Sequence, residues 1–218
     1  MKKKSTKILL CIVFVILVFI IIIYVKRWKN DNIYKNSFYN ENLNKITNED
    51  FSIGNISLNM SMYDVKNLLG EPEDVSEFVD SENPEISYKR FDYDNLIIQF
   101  DYEKEYVNYI ASSQKEVKNH RKIGVDSTVT DVLKAYYSNP KIEIYEDSYG
   151  VYEILYGKDD ATKYLNDLST ENKNFSYIYK YNDDINSIIF VEEGKVIEFY
   201  LTENKINMMI VADKYIPW

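Results

Sequence analysis

Several residue types that carry much of protein chemistry are scarce in this chain of 218 residues. It has one cysteine, Cys11, one histidine, His120, six glycines and four prolines. One cysteine cannot form a disulfide within the chain, and its place in an apolar segment excludes a thiol catalyst from the remainder. Zinc sites use several histidine or cysteine ligands, so we expect no metal site. The sequence contains no glycine-rich phosphate-binding motif, and we expect no cofactor.

The single histidine is a poor candidate for catalysis. A Ser-His-Asp triad would require His120, whose sequence neighbours Lys118, Asn119, Arg121 and Lys122 are all polar. Such a stretch is typical of a linker between folded segments. We therefore expect no catalytic histidine, and the favoured interpretation is that the protein is not an enzyme.

The charges are distributed unevenly along the chain. The formal net charge is −9, yet residues 1–29 carry seven basic residues and no acidic ones. The remainder has 19 basic and 35 acidic residues, a net charge of −16. Nucleic acids and anionic lipid surfaces both select lysine and arginine. The acidic part is therefore not expected to bind nucleic acid or to lie flat on a membrane.

An uninterrupted apolar segment lies near the N-terminus. It runs from Ile8 to Val25, 18 residues without a charge, and as a helix it would be roughly 27 Å long. No small residue follows where a signal peptide would be cleaved, so residues 1–29 are predicted to be a single-pass signal anchor in the cell membrane. The flanking lysines and arginine favour a cytoplasmic N-terminus and an extracytoplasmic C-terminal domain, while the opposite orientation is the alternative left open.

Residues 30–50 separate this segment from the folded part. They contain seven asparagines and neither glycine nor proline, with a few scattered apolar residues. Polar composition of this kind is typical of a partly ordered stalk. The folded region is predicted to begin near Phe51.

Two segments of the folded part are similar to each other. The first, ISLNMSMYDVKNLLGEP, begins at Ile56, and the second, IGVDSTVTDVLKAYYSNP, begins at Ile123. In each, a hydroxyl residue (Ser61 or Thr128) stands three positions before an aspartate, as in a capping box, and apolar residues follow at helical spacing. The pattern predicts tandem repeats at 51–115 and 121–218, each beginning with a short helix.

Segments with the composition of strands follow each helix. In the first repeat they cover 86–93, 96–102 and 106–112, and the second repeat has several more, with a further short helix at 161–168. The dipeptides Asp94-Asn95 and Glu193-Gly194 predict tight hairpin turns. The predicted fold class is α+β: an N-terminal transmembrane helix, then two tandem helix-plus-antiparallel-sheet repeats with the helices on one face of the sheet.

The helix phrase carries a family resemblance. The pattern I-x-L-x-M-S-x-x-D-V-x-x-L-L-G-E-P at 56–72, with strands after it, resembles the SmpA/OmlA-type small-lipoprotein domain. Doubled, the arrangement is similar to the tandem repeats of the β-lactamase inhibitor protein superfamily. The resemblance covers 55–113 closely and 121–213 loosely, and it implies an extracytoplasmic domain that binds other proteins through its sheet or loops. The chain lacks a lipobox and the inhibitor's disulfide cysteines, so no particular partner is implied.

Tyrosine is unusually abundant, with 21 residues. Six that fall on or beside predicted strands form the candidate binding face: Tyr88, Tyr102, Tyr109, Tyr152, Tyr156 and Tyr179. Strand propensity and core packing also explain tyrosine at such positions. Exposed tyrosines on a sheet would instead form a contact surface. We expect a non-catalytic module that binds another envelope protein, and the sequence leaves the oligomeric state open.

Paired carboxylates support a different function. Acidic residues are grouped at 92–94, 101–105, 159–160, 183–184 and 192–193. Two carboxylates facing each other across a cleft can hydrolyse a glycosidic bond. The alternative is therefore an envelope-acting hydrolase. It predicts converging carboxylates with shifted pKa values, whereas the binding module predicts an exposed tyrosine-rich patch.

Overall fold

The computed structural model describes Val18, Ile21 and residues 45–82, 86–137, 142–167, 173–182 and 184–213. The chain divides into two compact units, Met1–Phe38 and Tyr39–Trp218. The second unit contains nearly all of the described residues and every described strand.

This unit consists mainly of strands. In chain order they are β1 (Ser52–Ile53), β2 (Ile56–Ser57), β3 (Asp74–Phe78), β4 (Tyr88–Tyr93), β5 (Leu96–Asp101), β6 (Val107–Ser112), β7 (Glu143–Glu146), β8 (Val151–Tyr156), β9 (Phe175–Tyr181), β10 (Asp184–Glu192), β11 (Lys195–Thr202) and β12 (Lys205–Ala212). The helices are α1 (Met62–Leu69), α2 (Val129–Tyr136) and α3 (Lys158–Asp167), and a 3₁₀ turn covers Asn48–Asp50.

Ten of the strands form one sheet, in the order β3-β4-β5-β6-β12-β11-β10-β9-β8-β7. Every neighbouring pair is antiparallel. The pairing of β6 with β12 joins the two segments predicted as repeats into one continuous sheet. β1 and β2 form a separate two-stranded sheet. The described sheet therefore ends at β3 on one side and at β7 on the other.

Local sequence signals account for the helix starts and the tight turns. The Ser61 hydroxyl accepts a hydrogen bond from the Asp64 amide at the start of α1, and Thr128 with Asp131 forms a complete capping box at the start of α2. Hairpins close between Tyr93 and Leu96 and between Glu192 and Lys195. These predicted helix starts and turns are confirmed.

The helices cover both faces of the sheet. Tyr136 of α2 lies with its ring centroid 4.7 Å from that of Phe190, on the side that we call the front face. One row of cross-strand pairs shares this face: Phe91, Ile98, Ile110, Val211, Ile197 and Phe190. Lys66 of α1 lies over the Phe91 ring, so α1 is also on the front. The ring centroids of Tyr164 in α3 and Phe175 are 4.9 Å apart. Phe175 is paired with Val191, the neighbour of Phe190, so it points to the opposite side of the sheet, which we call the back face. Helix α3 therefore lies on the back.

The predicted fold class is therefore wrong. The described unit is mostly β, with one ten-stranded sheet in place of two helix-and-sheet repeats. Its helices are only 8, 8 and 10 residues long and do not share one face. Alternating apolar and polar residues in the sequence predict which side chains share a face of a strand. They do not predict which of the two faces a helix later in the chain will cover. The aromatic back face of β8 and β9 buries Ala161 and Tyr164 of α3.

The prediction of a transmembrane signal anchor is also corrected. Among the residues that the structure describes, no helix is long and apolar enough to cross a membrane. Of the predicted span from Ile8 to Val25, only Val18 and Ile21 belong to the described residues. Of the predicted stalk, residues 45–50 are described, and Ile46 and Asp50 among them are buried.

Candidate protein-binding edge of the sheet

The six tyrosines of the predicted binding face do not form one open surface. Cross-strand pairing places Tyr88, Tyr109, Tyr152 and Tyr179 on the back face. Tyr156 is on the front face, because it is paired with Ser176, which is paired with Phe190. Tyr102 lies in the turn after β5, with its ring 5.4 Å from the Lys89 ammonium. Tyr109 and Tyr152 are buried and the other four are half-buried.

The back-face tyrosines near β8 and β9 pack against one another and α3. The Tyr152 ring centroid lies 5.2 Å from that of Tyr179 and 5.5 Å from that of Tyr177, which in turn contacts Tyr164 of α3. These contacts give the tyrosines a packing role of the kind that aromatic pairs usually have in cores. A binding role for the six residues stays a prediction.

A buried carboxyl group lies on the same face, in the middle of the sheet. Glu198 of β11 is 5 % exposed and is flanked across the strands by Ile189 and Ile210. Burial raises the pKa of Glu198 to about 7, against the opposing effect of hydrogen bonds with Tyr200 and Ser187. Burial also raises the pKa of Tyr109, and the Glu198 charge adds to that effect. Sequence reasoning missed this residue, although an acidic residue among apolar neighbours at 196–201 was a usable signal.

Three of the carboxylates predicted for a hydrolase are engaged in local contacts, and Asp183 of the 183–184 group lies outside the described residues. Asp92 forms an ion pair with Arg90, Glu105 pairs with Lys89, and the Asp101 carboxylate accepts backbone hydrogen bonds in its own turn. Burial and the neighbouring Glu193 raise the pKa of Glu192. Within the described residues, no three histidine, cysteine, aspartate or glutamate side chains converge as a metal site.

β3 is the most exposed strand of the sheet. All five of its residues are solvent-exposed, including the large apolar side chains Val75 at 51 % and Phe78 at 43 %. Val79 directly after it and Ile86 just before β4 are also exposed. An edge strand pairs on one side only, so part of its backbone N–H and C=O groups point away from the sheet. β3 is the last strand of the described sheet on this side, so no described strand pairs with its outer edge.

The surroundings of β3 are acidic. Residues 71–82 contain six acidic residues and no basic one. The nearest cations are already paired: Lys66 lies 2.7 Å from Glu71, Lys89 lies 2.9 Å from Glu105, and Arg90 lies 2.7 Å from Asp92. In the described part of the chain, Asp74 and Glu77 belong to no ion pair. Lys66 offsets Glu71 of this segment, and Lys89 lies opposite Glu77, whose charge helps to raise the Lys89 pKa. The edge thus combines exposed apolar side chains, available backbone groups and an excess of negative charge.

The sequence did not predict β3. Its segment, DVSEF, mixes two acidic residues with two apolar ones, and acidic residues are depleted in strands. Pairing with β4 over five residues holds it in the sheet, and the Phe78 ring stacks on Tyr88 at 5.5 Å. The strand therefore depends on its neighbour, which local composition does not reveal.

Comparison with known proteins adds little. No family model matches the chain, and no curated protein is similar to it in sequence. Among solved structures, it is similar to a cysteine-rich secretory protein from Staphylococcus aureus subsp. aureus Mu50, with 10 % identity, a TM-score of 0.40 and 71 % of this chain covered. It is also similar to an extracellular protein containing a SCP domain from Bacillus anthracis str. Ames, with 11 % identity, a TM-score of 0.40 and 82 % of this chain covered.

The matched regions span 44 % and 46 % of those two chains, less than half of each. A TM-score of 0.40 at this identity supports no transfer of fold or function. The resemblance to SmpA/OmlA-type domains stays a prediction.

Proposed function

We propose that this protein is a non-catalytic, extracytoplasmic module that binds another protein of the cell envelope. The observation that carries the proposal is the β3 edge, where an exposed strand presents Val75 and Phe78 beside carboxylates that belong to no described ion pair. Exposed apolar residues on an open strand edge are what natural proteins avoid unless the edge has a partner. The extracytoplasmic placement is supported by the absence of cysteine after Cys11 and by the acidic composition that follows residue 29.

In-cell photo-crosslinking tests the proposal. A photoreactive amino acid replaces Ser76 in β3 of the full chain, and a matched variant carries it at Ile144 in β7, which is 67 % exposed at the opposite end of the sheet. We expect a reproducible protein adduct from position 76, recovered after labelling intact cells with a membrane-impermeant reagent. If neither position gives an adduct that recurs between replicates, the binding function is wrong.

The hydrolase remains the second candidate because of one observation. Glu198 is a buried carboxyl whose pKa is raised to about 7, which is suitable for a general acid. The groups that act on it are the hydroxyls of Tyr200 and Ser187. Of the carboxylates at 92–94 and 101–105, Asp92, Asp101 and Glu105 bind neighbouring arginine, backbone and lysine groups instead. Release of reducing sugar from envelope material by the full chain, lost in Glu198→Gln, would favour this alternative.

A further inference from the structure

The side chains of β3 alternate between the two faces in a defined order. Val75 and Glu77 are paired with Phe91 and Lys89, so they lie on the front face. Asp74, Ser76 and Phe78 are paired with Asp92, Arg90 and Tyr88, and they lie on the back face. Each face of the edge therefore presents one apolar and one acidic side chain. A strand added outside β3 would place its residues beside these in the same alternation.

From this order we infer the chemistry of the partner, an inference that rests on the proposed binding function. The partner contributes an extended segment that pairs antiparallel with β3, in keeping with every other pair in the sheet. Read along the partner, the five residues opposite Phe78, Glu77, Ser76, Val75 and Asp74 are apolar, basic, unrestricted, apolar and basic. Backbone hydrogen bonds supply affinity in such strand addition, and the alternate side chains supply specificity.

The charge of the edge selects this partner over a second copy of the chain. Two β3 edges facing each other would bring together two segments that each hold six acidic and no basic residues over 71–82. Like charges on adjacent strands oppose pairing, whereas opposite charges favour it. Arg90 is paired with Asp92, and Lys89 is paired with Glu105. Lys89 also lies opposite Glu77, which contributes to its raised pKa, so it offsets only part of the charge of the edge, while Asp74 lies opposite another acid, Asp92. A basic segment supplies the missing charge.

The other end of the sheet shows this combination more weakly, because in β7 only Glu146 is an exposed carboxylate that belongs to no described ion pair. β7 is one residue shorter than β3, and its Glu143 forms an ion pair with Lys158. It presents Ile144 as its one exposed large apolar side chain, while Tyr145 packs against Tyr152. β7 is therefore the matched control for an effect that belongs to β3.

The test measures binding of the full chain to a fluorescent peptide with the central sequence Val-Lys-Thr-Val-Lys. Fluorescence anisotropy of the peptide reports the affinity. We expect saturable binding that weakens roughly tenfold when both lysines are glutamate and is lost when the threonine is proline. The double variant Asp74→Lys with Glu77→Lys reverses the preference, so that the glutamate peptide binds more tightly than the lysine peptide. Glu143→Lys with Glu146→Lys in β7 leaves the preference unchanged.

Backbone hydrogen exchange of the full chain locates the binding. Slower exchange within 74–78 on addition of the lysine peptide supports the inference, and so does the reversed preference. Binding without protection of β3, equal affinity for the two peptides, dimerisation through β3, or no binding would each overturn it. These results leave the proposed function standing if crosslinking still recovers a partner, so the two failures can be told apart.

Discussion

Glu198 at the centre of the sheet and the acidic residues of β3 at its edge carry the same chemical group in opposite surroundings. Glu198 is 5 % exposed between apolar neighbours, whereas Asp74 and Glu77 are exposed to solvent. A buried carboxylate loses its hydration, so its charged form destabilises the fold unless a cation compensates. An exposed carboxylate has no such cost and can shape recognition. We therefore expect Glu198 to affect stability and the acidic residues of β3 to affect binding.

Asp50 shows what a compensating cation does. It is completely buried, and Arg121 binds both of its carboxylate oxygens, at 2.6 and 2.7 Å. Arg121 also donates to the Lys45 carbonyl and lies over the Tyr136 ring at 4.4 Å, so the pair ties the 45–50 segment to α2. Asp50 and Glu198 are both buried acids, but only Asp50 has an arginine as partner among the described residues.

The largest expected effect comes from removing that arginine. Arg121→Ala leaves the Asp50 carboxylate buried and unpaired, and we expect a loss of about 3–5 kcal/mol in the free energy of unfolding, measured with urea. The double variant with Asp50→Asn should lose less than the two single losses added together, because the partners are coupled. A loss under about 1 kcal/mol for Arg121→Ala would mean that water replaces the arginine.

Glu198→Gln tests the buried acid that has no cation as partner among the described residues. We expect this substitution to increase the free energy of unfolding, whereas Arg121→Ala decreases it. The pKa of Glu198 is raised from 4.5 to about 7 in the folded state, so the folded protein binds more protons than the unfolded chain between these values. The contribution of protonated Glu198 to the free energy of unfolding is therefore complete below about pH 4.5. It is lost as pH rises to about 7, a change of about 3 kcal/mol. We expect Glu198→Gln to be more stable than the parent at pH 8 by about that amount and equal to it at pH 4.5.

The pH dependence of the difference between parent and variant is the critical measurement, because other groups titrate equally in both. Glu192→Gln provides a graded comparison. Glu192 lies at the end of β10 and is only half-buried, and its pKa is also raised, so we expect the same pH dependence in smaller size. A Glu198→Gln variant whose advantage does not change between pH 4.5 and pH 8 would show that Glu198 is hydrated. Burial would then not distinguish Glu198 from the exposed carboxylates of β3.

Sequence predicts the parts of this fold that are fixed locally. The caps at Ser61 and Thr128 and the turn at Asp94-Asn95 depend on residues within a few positions of each other, and all three were predicted. The face covered by α3 depends on strands far away in sequence, and it was not. β3 escaped prediction because its acidic residues resemble a loop, and only pairing with β4 makes it a strand. The acidic residues that give the candidate edge its charge are thus also the residues that prevent its prediction as a strand.

The smallest expected effect on stability belongs to the edge itself. Asp74→Ser with Glu77→Ser removes two exposed charges that belong to no ion pair in the described part of the chain, and we expect the free energy of unfolding to change by less than about 0.5 kcal/mol. Urea unfolding measures this at the pH used for Glu198→Gln. The same variant should lose its preference for the lysine peptide over the glutamate peptide.

The two readouts together decide whether the edge carboxylates have a structural role. A gain in stability above about 1 kcal/mol would show that Asp74 and Glu77 strain β3 through repulsion, as carboxylates kept for solubility or for a partner often do. Unchanged stability with a lost charge preference separates recognition from folding at this strand. That outcome would place the centre and the edge of one sheet under different constraints: neutrality where Glu198 is buried, and negative charge where β3 is open.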